Sequence, residues 1–212
     1  MFSFTRPTST DVERALEGYS RLNLQAAVLD SRQGLRVSRL PAGFAHDHSR
    51  TAIGQGRKVF EAAISAFQEW KQFDLGWVRV ANPAARIEIR QTIAVEIYAL
   101  GLWSLNVSEI VDVTSVDVTS VDETSVDETS EDHAFGFIYK TSQHHAEEGE
   151  ERFLLTFDPK TKAVHYDLEA ISRPRHWLVR LGYPAVRALQ HKFARDSHKC
   201  IREAVSQASR EV

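Results

Sequence analysis

Cysteine is nearly absent from this chain: Cys200 is the one thiol among 212 residues, so no internal disulfide can form and a reducing compartment is the natural setting. Long apolar runs are missing as well. No stretch reaches the roughly 18 consecutive apolar residues of a membrane-spanning helix, and the opening residues MFSFTRPTSTDVER hold no apolar core of a secretion signal. A cytoplasmic protein without a transmembrane segment is the expectation. No G-x-S-x-G elbow, zinc-protease helix or cysteine-nucleophile pattern occurs either, so no residue set compels a reaction. Asn106-Val-Ser108 matches a glycosylation sequon, but without a secretory signal the match is chance.

Composition is that of an ordinary soluble globular protein, with 42% hydrophobic and 26% charged residues. The length suits one domain with elaborations and a substantial core. The net charge of -3 conceals an uneven distribution. Glu109 to Asp132 holds nine acids and no Lys or Arg, whereas Arg173 to Arg202 holds eight Lys or Arg and one acid, Asp196. Inside the acidic stretch, Val111 to Ser130 reads VDVTS-VDVTS-VDETS-VDETS. Five is odd and strand side chains alternate with period two, so each repeat would invert the faces, with Val111 and Val113 pointing one way and Val116 and Val118 the other. Four pentads are too few to stack into a repeat architecture. They read as an insertion that lengthens a hairpin or loop.

Along the chain, Thr10-Asp-Val-Glu13 has capping-box spacing and opens a first helix running to about Leu22. Gln25 to Pro41 has weak patterning and reads as connection. Phe44 to Ile53 suits a strand. Val59, Phe60, Ala63, Ile64, Phe67 and Trp70 then recur at helical steps on a helix of about Arg57 to Gln72. Strands are expected at Leu75 to Val80, Ala85 to Ile89, Thr92 to Leu105 with Gly101 as a bulge or bend, His133 to Lys140, Glu151 to Phe157 and Ala163 to Ile171. A turn at Asp158 to Lys162 joins the last two. Arg173-Pro174 announces a long terminal helix, which Gly182 and Pro184 break or kink. Short helices first, six or seven hairpin-linked strands next and one long helix last describe an α+β layout in which a curved antiparallel sheet wraps around the final helix.

Several constellations invite chemistry, each beside a plainer role. Gly54 and Gly56 precede a helix as a phosphate loop would, yet the third glycine and the Lys-Ser/Thr pair are missing. His46 and His48 share a strand face, and His144 and His145 lie beside several glutamates, but a solvated polar edge accounts for both and no metal is expected. Glu150 and Glu151 flank each other on a strand, so one of them faces inward. There it would act as an acid or base, or be locked to a partner such as Arg79 or Arg152. The basic face of the last helix could meet nucleic acid or anionic lipid, but the few aromatics near it are better spent in packing, so nucleic acid is not favoured.

The blocks Gly54-Gln-Gly56-Arg-Lys-Val59-Phe60 leading to Trp70, Leu75-Gly-Trp77, Phe135-Gly-Phe-Ile-Tyr139-Lys-Thr141, Gly149-Glu150-Glu151-Arg-Phe153, and Ser172-Arg173-Pro174 leading to Gln190 stand in order along the chain. Together they resemble the domain-of-unknown-function family numbered nineteen-ninety, an uncharacterised family of bacteria and plants. The likeness runs from about Phe44 to Lys199. The pentads depart from the family pattern.

The resemblance implies a relative of the START/Bet v 1 helix-grip superfamily, whose members hold hydrophobic ligands between a curved sheet and a C-terminal helix. It carries over no catalytic residue and no cofactor. The expected organisation is an N-terminal helix and connection over 1–43, a helix-grip domain over 44–205 with 111–130 inserted, and a tail over 206–212. The expected partner is a small hydrophobic or amphipathic ligand. Its lining would come from Trp77, Tyr98, Trp103, Phe137, Tyr139, Phe153, Leu181 and Leu189, with Glu150, Glu151 and Arg79 to orient it. An enzyme using Glu150 or Glu151, or a module that meets an anionic surface or another protein through the basic helix, are the alternatives. Oligomeric state is not legible.

Overall fold

The structure, a computed structural model, describes residues 2–19, 28–35, 40, 42–115, 133–142, 145, 147–175 and 182–208. Seven strands form one antiparallel path: β4 (Ala45–Gln55), β5 (Val78–Val80), β6 (Thr92–Ala99), β7 (Leu102–Ser115), β8 (His133–Thr141), β9 (Glu147–Phe157) and β10 (Ala163–Pro174). Their spatial order is β4-β10-β9-β8-β7-β6-β5. The meander from β5 to β10 is thus closed off by β4, which returns to pair with β10. A two-residue strand β1 (Phe2–Ser3) pairs with β7 at Ser104 and Trp103, beyond the reach of β8. The helices are α1 (Ser9–Glu17), α2 (Arg57–Gln68) and α3 (Tyr183–Ala208), and a small hairpin is made by β2 (Leu29–Asp30) and β3 (Gly34–Leu35).

Alternation along the strands sorts the side chains onto two faces. The inner face carries Ile93, Ile110, Phe137, Phe153, Leu155, Tyr166 and Leu168, which pack with Phe60, Phe67, Trp70 and Phe73 from α2 and its following turn and with Ile201 and Val205 of α3. Rings interlock here: Phe153 lies 5.0 Å from Phe137, 5.1 Å from Phe73 and 6.3 Å from Phe193 of α3. α3 is tied to the sheet by the buried Tyr166–Ser197 hydroxyl pair at 2.8 Å and by Trp77 donating to Asp196 at 2.9 Å. The helix-grip α+β layout expected from the sequence is what the chain adopts, with six of the seven main strands hairpin-linked as a meander.

The outer face is not bare. Val12 of α1 packs over Ala94, Leu105 and Val107, and Leu29 of the small hairpin is fully buried against Ile138 and Ile171. Buried ionic groups hold that hairpin down. Glu150 accepts the amides of Val28 and Leu29 at 2.8 and 3.0 Å and meets Lys140 at 3.2 Å. Arg152 pairs with Glu169 at 2.6 Å and donates to the Arg32 carbonyl. Desolvating such charges is costly, so each must keep its partner. The weakly patterned Gln25 to Pro41 stretch, expected to be connection, therefore contains an anchored hairpin.

Several local expectations are corrected. The capping box of α1 uses Thr8 and Asp11 in place of Thr10 and Glu13: each backbone amide is taken by the other's side chain. That helix stops at Glu17, before Leu22. Ala85 to Ile89 is not a strand, and the Ala85 carbonyl instead receives the Trp70 indole at 2.9 Å. Thr92 to Leu105 is not one bulged strand. Leu100 and Gly101 both have positive φ, 54° and 78°, the conformation of a two-residue hairpin turn that joins β6 to β7.

Arg173-Pro174 does not begin a helix. It ends β10, where Pro174 sits opposite Glu147, an edge position that a residue without an N–H can occupy. α3 begins at Tyr183, with Pro184 in its first turn. The first pentad continues β7, and a register shift between Ile110 and Asp112 puts Val111 on the outer face and Val113 on the inner one. A bulge inserts one residue and so resets the alternation. The other three pentads lie outside the described residues.

Candidate functional site

Beyond the ring cluster, the space between sheet and α3 is not filled. A cavity of about 440 Å³ lies between the inner faces of β4 and β6 to β10 and the first half of α3. Its apolar walls are Trp77, Val95, Ile97, Leu168, Leu189 and Phe193. Its polar wall comes from β7, whose inner face here is Ser104, Asn106 and Ser108, all buried. The Asn106 amide nitrogen donates to the Ser104 hydroxyl at 3.1 Å, while its Oδ1, on a residue only 3% exposed, has no hydrogen-bond partner among the described residues. A buried acceptor left without a donor costs about 1–3 kcal/mol. A ligand donor would remove that cost.

A second polar group is assembled across the seam between sheet and helix. Arg187 of α3 forms a two-toothed ion pair with Asp47 of β4 and donates to Gln190 Oε1 at 2.7 Å. Gln190 in turn donates to both oxygens of Glu147 at 2.9 and 3.1 Å and to Ser172 at 3.1 Å. Glu151, one turn of the pleat along β9, receives the Tyr139 hydroxyl. Part of the surface of Glu151 is accessible, and the space it borders is the cavity.

The enclosing walls set its acidity: burial pushes its pKa up to about 7 against the Tyr139 hydrogen bond, and the nearby Glu147 and Asp47 raise it further. Burial also pushes Glu147 up, opposed by Gln190 and Arg187. Tyr139 is driven well above its ordinary value by burial and by Glu151. His145, at the same end of the cavity, is pulled down to about 4 by burial and is therefore a neutral imidazole that accepts the Glu147 amide at Nδ1.

Of the residues expected at the site, Trp77, Tyr139, Leu189 and Glu151 border the cavity. Glu150 touches it along the strand, but its carboxylate lies on the outer face among Val28, Leu29 and Lys140. Alternation thus settles the choice between the two acids. Phe137 and Phe153 are fully buried in the ring cluster next to the cavity. Tyr98 and Trp103 stack on each other at 4.9 Å on the outer face, with Arg6 over the Trp103 ring. Arg79 also faces outward and pairs with Glu96 at 2.8 Å. Leu181 lies outside the described residues.

His46 and His48 meet Glu169 and Asp167 on the outer face. His144 falls outside the described residues, which contain no cluster of three metal-ligating side chains. Gly56 spends its amide on the Lys162 carbonyl at 2.8 Å, as a strand-to-helix turn does. Of the basic residues of the terminal segment, Arg173, Arg175, Arg187, Lys192 and Lys199 pair with acids, Arg173 and Arg175 both with Glu148 and Lys192 with Asp196 on its own helix. No described helix is long and apolar enough to cross a membrane.

Sequence reasoning did not find Asp47, Asn106, Glu147, Arg187 or Gln190. The one available signal was the period-two run Ser104, Asn106, Ser108, and it reads naturally as an exposed face.

Comparison with known proteins gives the following. The model of the family described as "Domain of unknown function (DUF1990)" matches residues 28–200. A UPF0548 protein of Dictyostelium discoideum is 29% identical over 217 aligned residues, covering 97% of this chain and 96% of its own. A UPF0548 protein of Arabidopsis thaliana is 31% identical over 164 residues, covering 77% and 75%. Among solved structures, the Zhui aromatase/cyclase of a Streptomyces species superposes with a TM-score of 0.50 at 8% identity, covering 79% of this chain and 94% of that one. At that identity the likeness concerns the fold alone.

Proposed function

The chain belongs to the DUF1990 family, a domain of unknown function, and from that premise we propose that it binds a small amphipathic molecule in the cavity between sheet and α3. The observation that carries this reading is the cavity itself: about 440 Å³ of space with apolar walls and a buried, unpartnered acceptor on Asn106. Pockets for small molecules have this volume and this mixture of broad apolar surface and a few placed polar groups. A solid core would have filled the space with side chains to crystal-like density. The free thiol of Cys200 fits the reducing cytoplasm as the place of work.

Titration with N-phenyl-1-naphthylamine, a neutral apolar fluorophore, tests the reading, together with native mass spectrometry of the freshly purified protein. Saturable brightening is expected. Ala170→Phe, which places a ring into the cavity from the inner face of β10, is expected to abolish it while thermal unfolding stays cooperative. No brightening and no co-purifying mass would refute the proposal.

A second reading is favoured by one observation, the enclosed Glu151 whose pKa of about 7 lets it both give and take a proton near neutrality. That is what general acid–base catalysis on a bound hydrophobic substrate requires. Difference infrared spectra of wild type and Glu151→Gln at pH 6 check it. Absence of a protonated-carboxyl band assignable to Glu151 would remove the acid from the scheme.

A further inference from the structure

The balance of donors and acceptors around the cavity says more about its ligand, provided the binding reading above holds. Several of the donors that border the space are already engaged by protein. Trp77 gives its indole N–H to Asp196, and Asn106 gives its amide to Ser104. Gln190 is spent on Glu147 and Ser172. The Tyr139 hydroxyl is spent on Glu151.

Two acceptors remain open. Asn106 Oδ1 is unpartnered on a side chain more than nine-tenths buried. The carboxyl of Glu151, which borders the cavity, has the Tyr139 hydroxyl as its one hydrogen bond among the described residues.

Charge points the same way. The groups that face Glu151 are Tyr139 from β8, Glu147 from its own strand and Asp47 from β4, with Tyr166 of β10 and the Arg187–Gln190 pair of α3 behind them. Among the described residues Arg187 is the cation at this end, and it is committed to Asp47. Lys140 lies on the other face with Glu150, Arg175 is paired with Glu148, and the partly buried His145 is neutral. Three carboxyl groups therefore share one guanidinium, in a place where solvent compensates little. Such a site is short of one positive charge.

We propose that the ligand is a cationic amphipath, whose protonated amine rests against Glu151 and Glu147 and whose hydrocarbon portion lies along Val95, Ile97 and Leu168. Asn106 supplies a further acceptor along the wall for a second donor of the same molecule. The amine binds as ammonium, and Glu151 releases its proton to solvent as the pair forms. A carboxylate ligand would add a negative charge beside Glu147 and Asp47 and is disfavoured by like-charge repulsion.

Competition against bound N-phenyl-1-naphthylamine by 1-octylamine, 1-octanol and octanoate tests this, since the three share one chain and differ in the head. Octylamine is expected to displace the fluorophore at a concentration at least tenfold lower than octanol does, with octanoate weaker than both. Calorimetry in two buffers of different ionisation enthalpy is expected to show proton release on octylamine binding at pH 6 and little at pH 9. In Glu151→Gln the preference for octylamine over octanol should fall below about threefold. If that variant does not fold, Glu147→Gln carries the same comparison.

Equal displacement by the three probes, preference for octanoate, or an amine preference that survives the substitution would overturn the cationic assignment and leave the cavity reading intact. No fluorophore binding at all would overturn the cavity reading, and this inference with it.

Discussion

Glu151 makes stability depend on pH in a direction opposite to that of most carboxylates. Its pKa rises from 4.5 to about 7 on folding, so between these values the folded chain holds a proton that the unfolded chain has already lost. The stabilisation is fully present below pH 4.5, falls as pH rises, and is gone above about pH 7. By linkage the displacement corresponds to about 3 kcal/mol. His145 and His198 act against it. Burial lowers both to about 4, so between 4 and 6.5 the unfolded state binds more protons there and stability rises with pH.

The wild-type profile therefore mixes opposing slopes, and the difference between wild type and Glu151→Gln isolates the one of interest. Urea unfolding at pH 5, 6, 7 and 8 and constant ionic strength is the assay. The variant should be within about 1 kcal/mol of wild type at pH 5 and gain on it by roughly 3 kcal/mol by pH 8. Parallel profiles, offset by a constant amount at every pH, would refute the claim that the cavity walls keep Glu151 protonated, and would weaken its assignment as the ligand's counter-charge.

Three more outcomes follow from packing. Phe153→Ala removes the ring that touches Phe73, Phe137, Tyr139 and Phe193, and should cost about 3–5 kcal/mol in urea unfolding; a loss below about 1 kcal/mol would mean the ring cluster is not tightly packed. Glu150→Ala removes the ion pair with Lys140 and frees the amides of Val28 and Leu29. It should cost about 3 kcal/mol and expose the Leu29 amide to hydrogen exchange, and unchanged protection there would count against the anchor. Gly136→Ala puts a Cβ 2.2 Å from the Phe153 carbonyl oxygen on the paired strand, so β8 and β9 must separate. Thermal unfolding should drop by an amount equivalent to about 2 kcal/mol or more, and a neutral result would contradict the close approach.

The long-range plan was legible because it rests on patterns that repeat over many residues. Helical spacing in Val59 to Trp70 located α2, β-branched and aromatic runs located most strands, and a long final apolar stripe located α3. What failed were single-residue decisions. In sequence Pro174 reads as a helix start because proline suits a first turn, but at the edge of a strand its missing N–H is equally harmless. One glycine inside an apolar run, Gly101, permits a bulge, a bend or a hairpin turn, and only the positive φ of Leu100 beside it marks the last. The anchoring of the β2–β3 hairpin depends on Glu150, more than a hundred residues away, and no local pattern can announce it.

By itself the sequence determined the order of elements, the antiparallel sheet and the closing helix, since periodicity and turn chemistry are properties of short stretches of chain. Only the tertiary structure decided which side of each strand became interior. In β7 the apolar side chains Leu105 and Val107 point outward beneath α1, while Ser104, Asn106 and Ser108 point into the cavity. This inverts the reading that apolar means inward. The reason is physical: a sheet covered on both faces buries both sets of side chains, and which set faces the cavity depends on what α1 and α3 cover from elsewhere in the chain.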